Sequence, residues 1–69
     1  MKQTEQILDY MKSYGGITPM DALKDIGCMR LAARIADLKR EGHRIKSEKV
    51  AVRRRDGSRA FVERYTIDE

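Results

Sequence analysis

The stretch ITPMDALKDIGCMRLAARIADL, residues 17–38, holds two helices and the break between them. Thr18 stands where a side-chain oxygen can cap a helix, and Pro19 suits the first helical position. Asp21, three residues past the cap, takes the place of the glutamate of a capping box. A helix is therefore expected from Pro19 to about Ile26, with Met20, Ala22, Leu23 and Ile26 on its inner side and Gly27 breaking it. After a short gap, Arg30 to Glu41 reads as another helix. Leu31, Ile35 and Leu38 recur at i, i+4 and i+7, Cys28 extends that stripe backward, Ala32 flanks it, and Gly42 closes it.

Working toward the N-terminus, Ile7, Leu8, Met11 and Tyr14 line one face of a helix expected over residues 5–14, with Thr4 as its cap and Glu5 favourably placed in the first turn. Gly15-Gly16 ends it, because glycine takes the left-handed conformation at a helix C-terminus without a Cβ penalty. No GxGxxG or GxxxxGK pattern surrounds the pair, so it is a stop and not a phosphate loop. Toward the C-terminus the period becomes two: Ile45, Val50, Val52, Phe61, Tyr65 and Ile67 alternate with charges over a hairpin of about residues 44–67. The parity slips between Ile45 and Val50, which predicts a bulge or bend near Ser47 to Lys49. Asp56-Gly57 reads as a two-residue type I′ turn, placing Val52 opposite Phe61 and Arg54 opposite Arg59.

The 69 residues make one domain, residues 1–69, and leave little room for an enclosed substrate cavity beside a supporting core. Hydrophobic residues at 41% argue against a disordered tail, while charged residues at 38% give a crowded polar surface. The net charge of +4 is regional. Residues 1–28 set Lys2, Lys12 and Lys24 against Glu5, Asp9, Asp21 and Asp25, net −1, whereas residues 29–64 carry +7. A basic region on a folded domain is the footprint of a surface for polyanions, against the plainer reading of a solvated face.

The fold class is α+β: three helices followed by a basic hairpin, the order of parts in a winged helix-turn-helix domain with a C-terminal β-hairpin wing. The second helix of a tight pair can enter the DNA major groove, and the hairpin becomes a wing. With Leu31, Ile35 and Leu38 inward, the third helix turns Arg30, Ala33, Asp37 and Arg40 outward, with Arg34 at the boundary. Ala33 and Ala36 keep that surface low. Arg30 and Arg34 are candidates for the groove, Lys39 and Arg40 for phosphates, and Arg53, Arg54, Arg55 and Arg59 for wing contacts. Thr18 could bind phosphate through its hydroxyl and nearby amides. Asp37 would repel DNA unless Arg34 or Arg40 pairs with it, and a paired Arg34 is the structural alternative to a DNA contact.

The runs ITPMDAL at 17–23, GCMRLAARIADL at 27–38 and GHRI at 42–45 resemble the small helix-turn-helix domains encoded by many bacteriophages and prophages. The resemblance runs from the first helix to Tyr65-Thr66-Ile67. It implies a winged-helix fold and DNA binding. Taken with the charge on the third helix and the wing, the expected function is that of a phage or prophage regulator of transcription or of another DNA transaction. The chain departs from the strict template in one place. With Gly27 as the turn glycine, the inner apolar position falls on Ala33, whereas periodicity selects Leu31 and Ile35.

Residues for catalysis do not converge. His43 stands alone beside a helix-ending glycine, where it can stabilise the helix C-terminus or touch phosphate. Cys28 lies in an apolar setting as a structural thiol, without a CxxC or Cys/His ligand spacing. Asp21 and Asp25 share a helix face but make a poor metal site, and read as a solvated acidic face. The reading is thus no enzyme, no cofactor and no metal. The expected partner is double-stranded DNA, reached as a homodimer or beside a second DNA-binding protein, since one module buries a small footprint. With one cysteine, no apolar leader and no stretch of about 20 apolar residues, the expected setting is the cytoplasm of a bacterial or phage-infected cell. The alternative is a protein-interaction module of the same fold, for which an exposed apolar patch around Met29 and Tyr10 would speak. RNA is disfavoured because Tyr10, Tyr14, Phe61 and Tyr65 are expected to pack within the helices and hairpin, leaving no stacking platform.

Overall fold

The computed structural model describes residues 2–68, which leaves Met1 and Glu69 outside the description. Helix α1 is Gln3–Tyr14. Helix α2, Pro19–Asp21, runs directly into a π-helical segment, Ala22–Ile26, and α3 is Leu31–Arg40. Strands β1, Ile45–Arg53, and β2, Arg59–Ile67, form one antiparallel hairpin, so the α+β order expected from the sequence is the order found.

The start of α1 corrects one expectation. Lys2, extended at φ −69° and ψ 151°, occupies the cap position without a side-chain bond, and Thr4 lies inside the first turn. Nothing between Gln3 and Glu5 disfavours helix, and Glu5 complements the dipole, so the helix reaches back two residues beyond the expected start. Ile7 and Met11 are buried, but Tyr14 is 70% exposed at the last turn, its ring centroid 4.5 Å from that of Tyr10. Gly15, at φ +82°, ends the helix as expected and donates its N–H to Met11 O at 2.8 Å.

At the start of α2 the capping box forms. Thr18 Oγ1 accepts from Asp21 N at 3.2 Å, and Asp21 Oδ2 accepts from Thr18 N at 3.1 Å. The helix then widens. Ala22 O accepts from the N–H groups of both Gly27 and Cys28, closing a π-type end. Ala22 and Ile26, four residues apart, face the core, while Met20 and Leu23 lie on the adjoining stripe at 61% and 49% exposure. The sequence had all four inward, and one face of so short a helix cannot bury both pairs. In α3 the helix's own periodicity governs: Leu31, Ile35 and Leu38 are buried and Ala33 is only half-buried, which resolves the template mismatch. Gly42 and His43 end α3 with N–H bonds to Lys39 O and Leu38 O, both 3.1 Å, the pair of bonds of a Schellman motif.

The hairpin register is continuous from Ile45↔Ile67 to Arg53↔Arg59, with no bulge at residues 47–49. Ile17 pairs with Tyr65 as a one-residue third strand, by N–H bonds of 2.9 and 2.8 Å, so the buried side chains of Ile17 and Ile45 stand on one sheet face with Tyr65 and Ile67. Val50↔Val62 and Val52↔Ala60 stand on the other face, and Val52 and Val62 border a groove with Thr18, Pro19 and Met20. The parity slip is therefore a change in which face is covered, not an inserted residue.

The turn is also different. Arg54 N donates to Ser58 O at 2.8 Å, Gly57 N donates to Arg54 O at 3.0 Å, and Gly57 has φ +87°. No other residue of the turn has a positive φ, so Asp56 is not in the left-handed region that a type I′ turn demands. Arg55-Asp56-Gly57 is a three-residue loop built on a type I turn, which moves the register by one. Ala51, not Val52, faces Phe61, and Arg53, not Arg54, faces Arg59.

The core joins Ile7 and Met11 of α1, Ile17, Ala22, Cys28, the three buried residues of α3, and Ile45. An isolated two-stranded hairpin is marginal, so the wing depends on this core and on Ile17 for its geometry. The molecule measures 39 × 22 × 21 Å. Residues 51–59 are exposed throughout.

Candidate nucleic-acid interface

Helix α3 presents its cations unequally. Arg30 is the cap residue at its start, exposed, with φ −126° and ψ 59°. Arg34 is drawn sideways: with Asp37 it borders a hollow against Lys2, Gln3 and Thr4 at the start of α1. Arg34 Nε lies 3.2 Å from Asp37 Oδ2, an ion pair whose donor direction misses, so that nitrogen is out of solvent and makes no hydrogen bond. Arg40 donates a hydrogen bond to Asp37 Oδ1. Asp37 therefore pairs with both arginines that the sequence offered it, and its charge is compensated. Arg40 still exposes 76% of its side chain, against 38% for Arg34. Lys39 is exposed, and Ala36 leaves the same flank low.

At the wing, Arg53 and Arg59 face each other across the strands, with Arg54 and Arg55 in and beside the loop. Asp56 stays ionised among them. The Ser58 hydroxyl donates to its Oδ1 at 2.6 Å and the Ser58 N–H at 2.9 Å, and these bonds hold the carboxyl below the usual carboxylate range. Arg64 is of another kind: it pairs with Glu48 at 3.2 Å and lies over Gly16, where a Cβ would come within 2.5 Å of its guanidinium carbon. The second glycine of the Gly15-Gly16 stop thus also makes room for a side chain.

Thr18 and Arg53 border the same groove, which brings the start of α2 to the wing. Two groups there are already used, since Asp21 occupies the Thr18 N–H and its own N–H is bonded to the Thr18 hydroxyl. The hydroxyl hydrogen remains available to an acceptor.

A family model for the winged helix-turn-helix domain matches residues 2–69. The chain belongs to that family. Neither the curated proteins nor the solved structures contain a match to it. In this winged helix-turn-helix, α2 with its π-helical extension and α3 are the helix pair and β1–β2 the wing. Asp25 is exposed, as expected of a solvated acidic face, and it also accepts the Tyr10 hydroxyl at 2.6 Å, a bond that pushes the Tyr10 pKa up to about 12. Cys28 is buried, and among the described residues no cluster of His, Cys, Asp or Glu could hold a metal ion. No described helix is long and apolar enough to cross a membrane.

The winged helix-turn-helix surface also carries a residue that the sequence assigned to packing, since Phe61 is 69% exposed on the wing. Met29, between the two helices of the pair, is 86% exposed, where the sequence placed a candidate apolar patch. Cross-strand parity was the signal for Phe61, but it needed the correct turn.

Proposed function

We propose that the chain binds double-stranded DNA, with α3 in the major groove and the wing along the flanking backbone, as a regulator of transcription or an accessory factor in another DNA transaction. One observation carries this reading. Among the described residues, Arg30 and Lys39 on α3 and Arg53, Arg54, Arg55 and Arg59 on the wing have no ion-pair partner, while Arg34, Arg40 and Arg64 do. Cations that stabilise no fold contact are free to release counterions from phosphates. Lys12, Lys24 and Lys49 are unpaired as well, but the arginines, with their planar bidentate forks, concentrate on the two elements that this family projects.

In this reading Arg30 reaches base edges, while Lys39, Arg40 and the wing arginines hold phosphates. Arg34 contacts the groove only by leaving Asp37, and Thr18 donates its hydroxyl to a phosphate. The resemblance to phage and prophage domains supports a role in the cytoplasm of a bacterial or infected cell. A single module buries little DNA surface, so a homodimer or a second DNA-binding protein completes the site.

The test is a duplex titration at several salt concentrations. A steep log–log decline in affinity is expected, with Arg54→Ala plus Arg55→Ala weakening all sequences alike and Arg30→Ala changing sequence preference. Undetectable binding at low salt overturns the reading, and a palindromic footprint would establish the dimer. A second reading, a protein-binding module, has its own observation: Met20, Leu23 and Met29 are exposed side by side with Pro19 over buried Cys28.

A further inference from the structure

We propose that Phe61 is an apolar wedge that the wing sets against the minor groove, a role that rests on the DNA-binding reading above. Phe61 is 69% exposed although it lies well inside β2, and its cross-strand neighbour is Ala51, a single methyl group. The ring therefore stands alone above the ribbon. One step toward the tip on the same face are Arg53 and Arg59, themselves a facing pair, and one step toward the base are Lys49 and Glu63, likewise facing. Glu63 offsets Lys49, so the net charge beside the ring comes from the two arginines.

This is also the face that carries Ile45, Tyr65 and Ile67 at the root of the hairpin, where it packs against the core. The ring projects from that same face where no core remains to cover it. Exposing a phenylalanine to water is unfavourable, and two like charges opposite each other weaken a hairpin. A polyanion with an apolar interior relieves both: phosphates neutralise Arg53 and Arg59, and the ring meets sugars and base edges between them. Minor-groove proteins use Phe in this way, partly unstacking a base step and bending the duplex. The facing pair Arg53 and Arg59 on its own sheet face separates Phe61 from the Met20–Leu23–Met29 patch, which has Asp21 and Asp25 on its helix and meets the wing only at the groove that Met20 shares with Arg53.

The chain contains no tryptophan, so Phe61→Trp supplies a single indole, which can be excited selectively over the three tyrosines. Short A·T-rich duplexes are titrated with wild type, Phe61→Trp and Phe61→Ala, with thermal unfolding of each to verify the fold. Quenching of Phe61→Trp by duplex is expected. Phe61→Ala should bind about tenfold more weakly with an unchanged salt slope, because no charge is lost, and should no longer raise energy transfer between dyes on the duplex ends. If wild type binds with a steep salt slope but Phe61→Trp is unquenched and Phe61→Ala binds equally well, the wedge is refuted and DNA binding stands. Quenching by single-stranded oligonucleotide alone refutes the minor-groove assignment. If wild type binds no duplex even at low salt, the DNA-binding reading falls and takes the wedge with it.

Discussion

Replacing Ile17 by alanine tests how the wing is joined to the helices. Ile17 is 0% exposed, and its backbone makes both hydrogen bonds of the bridge to Tyr65, at 2.9 and 2.8 Å. Alanine keeps the backbone pair and removes three buried carbons, a transfer loss of about 2.4 kcal/mol at about 0.8 each. The cavity term brings the cost to about 3–4 kcal/mol. For a chain of this size total stability is roughly 3–10 kcal/mol. The substitution thus consumes a third of it or more and lowers the melting temperature by about 12–30 °C, at about 4–8 °C per kcal/mol. Ile17→Val, short by one carbon, should cost only about 1 kcal/mol. Circular dichroism melts and urea titrations of the two variants provide the measurement. A fall of less than about 5 °C for Ile17→Ala would mean that the wing root is not part of the cooperative core.

Three further outcomes follow from the surface. Asp37→Asn releases Arg34 and Arg40 and raises the net charge from +4 to +5; duplex binding should tighten and its salt slope steepen by about 0.9 for each phosphate gained, read by titration, while stability falls by less than about 1 kcal/mol. Tyr10, raised to about 12 by its bond to Asp25, should ionise near that pH in an ultraviolet titration, and Asp25→Asn should bring it back toward 10. Because the folded value lies above the unfolded one, the stability that this bond confers is complete below pH 10 and is lost as pH rises through about 12. Gly57→Val forces a β-branched residue to φ +87° with open space around it, so the cost of roughly 1–2 kcal/mol or more is backbone strain, seen as faster hydrogen exchange at the wing tip and no change in the helices.

What could be read from sequence was what neighbouring residues decide. Thr18, Pro19 and Asp21 specify a helix start within four positions, and the capping box formed as expected. Leu31, Ile35 and Leu38 specify a buried face against any template. The hairpin turn was harder, because Asp56-Gly57 fits both a two-residue and a three-residue loop, and only the backbone angle at Asp56 separates them. That single angle moved Phe61 from opposite Val52 to opposite Ala51. Tertiary partners were illegible in the same way. Arg34, placed at the boundary of the outward face, gains the start of α1 as a neighbour that no spacing announced, and the exposed Asp25 receives the hydroxyl of Tyr10, fifteen positions away. The match to residues 2–69 identifies the family, while the roles of individual cations rest on which of them the fold leaves unpaired.

The Ile17–Tyr65 bridge gives the hairpin the mechanics of a cantilever. It is clamped at its root by two backbone bonds and a buried side chain, the start of α2 borders one face as far as Val52 and Arg53, and past them only the ribbon's own ladder resists torsion. A two-stranded ribbon twists readily, so in the proposed DNA-binding role the arginines at its free end would follow a backbone whose pitch changes with sequence, while α3 stayed seated. Loosening the clamp would blur the angle between helix and ribbon and cost discrimination among DNA shapes before it cost adhesion. A residue that never approaches a phosphate would then govern how well the protein tells one duplex from another.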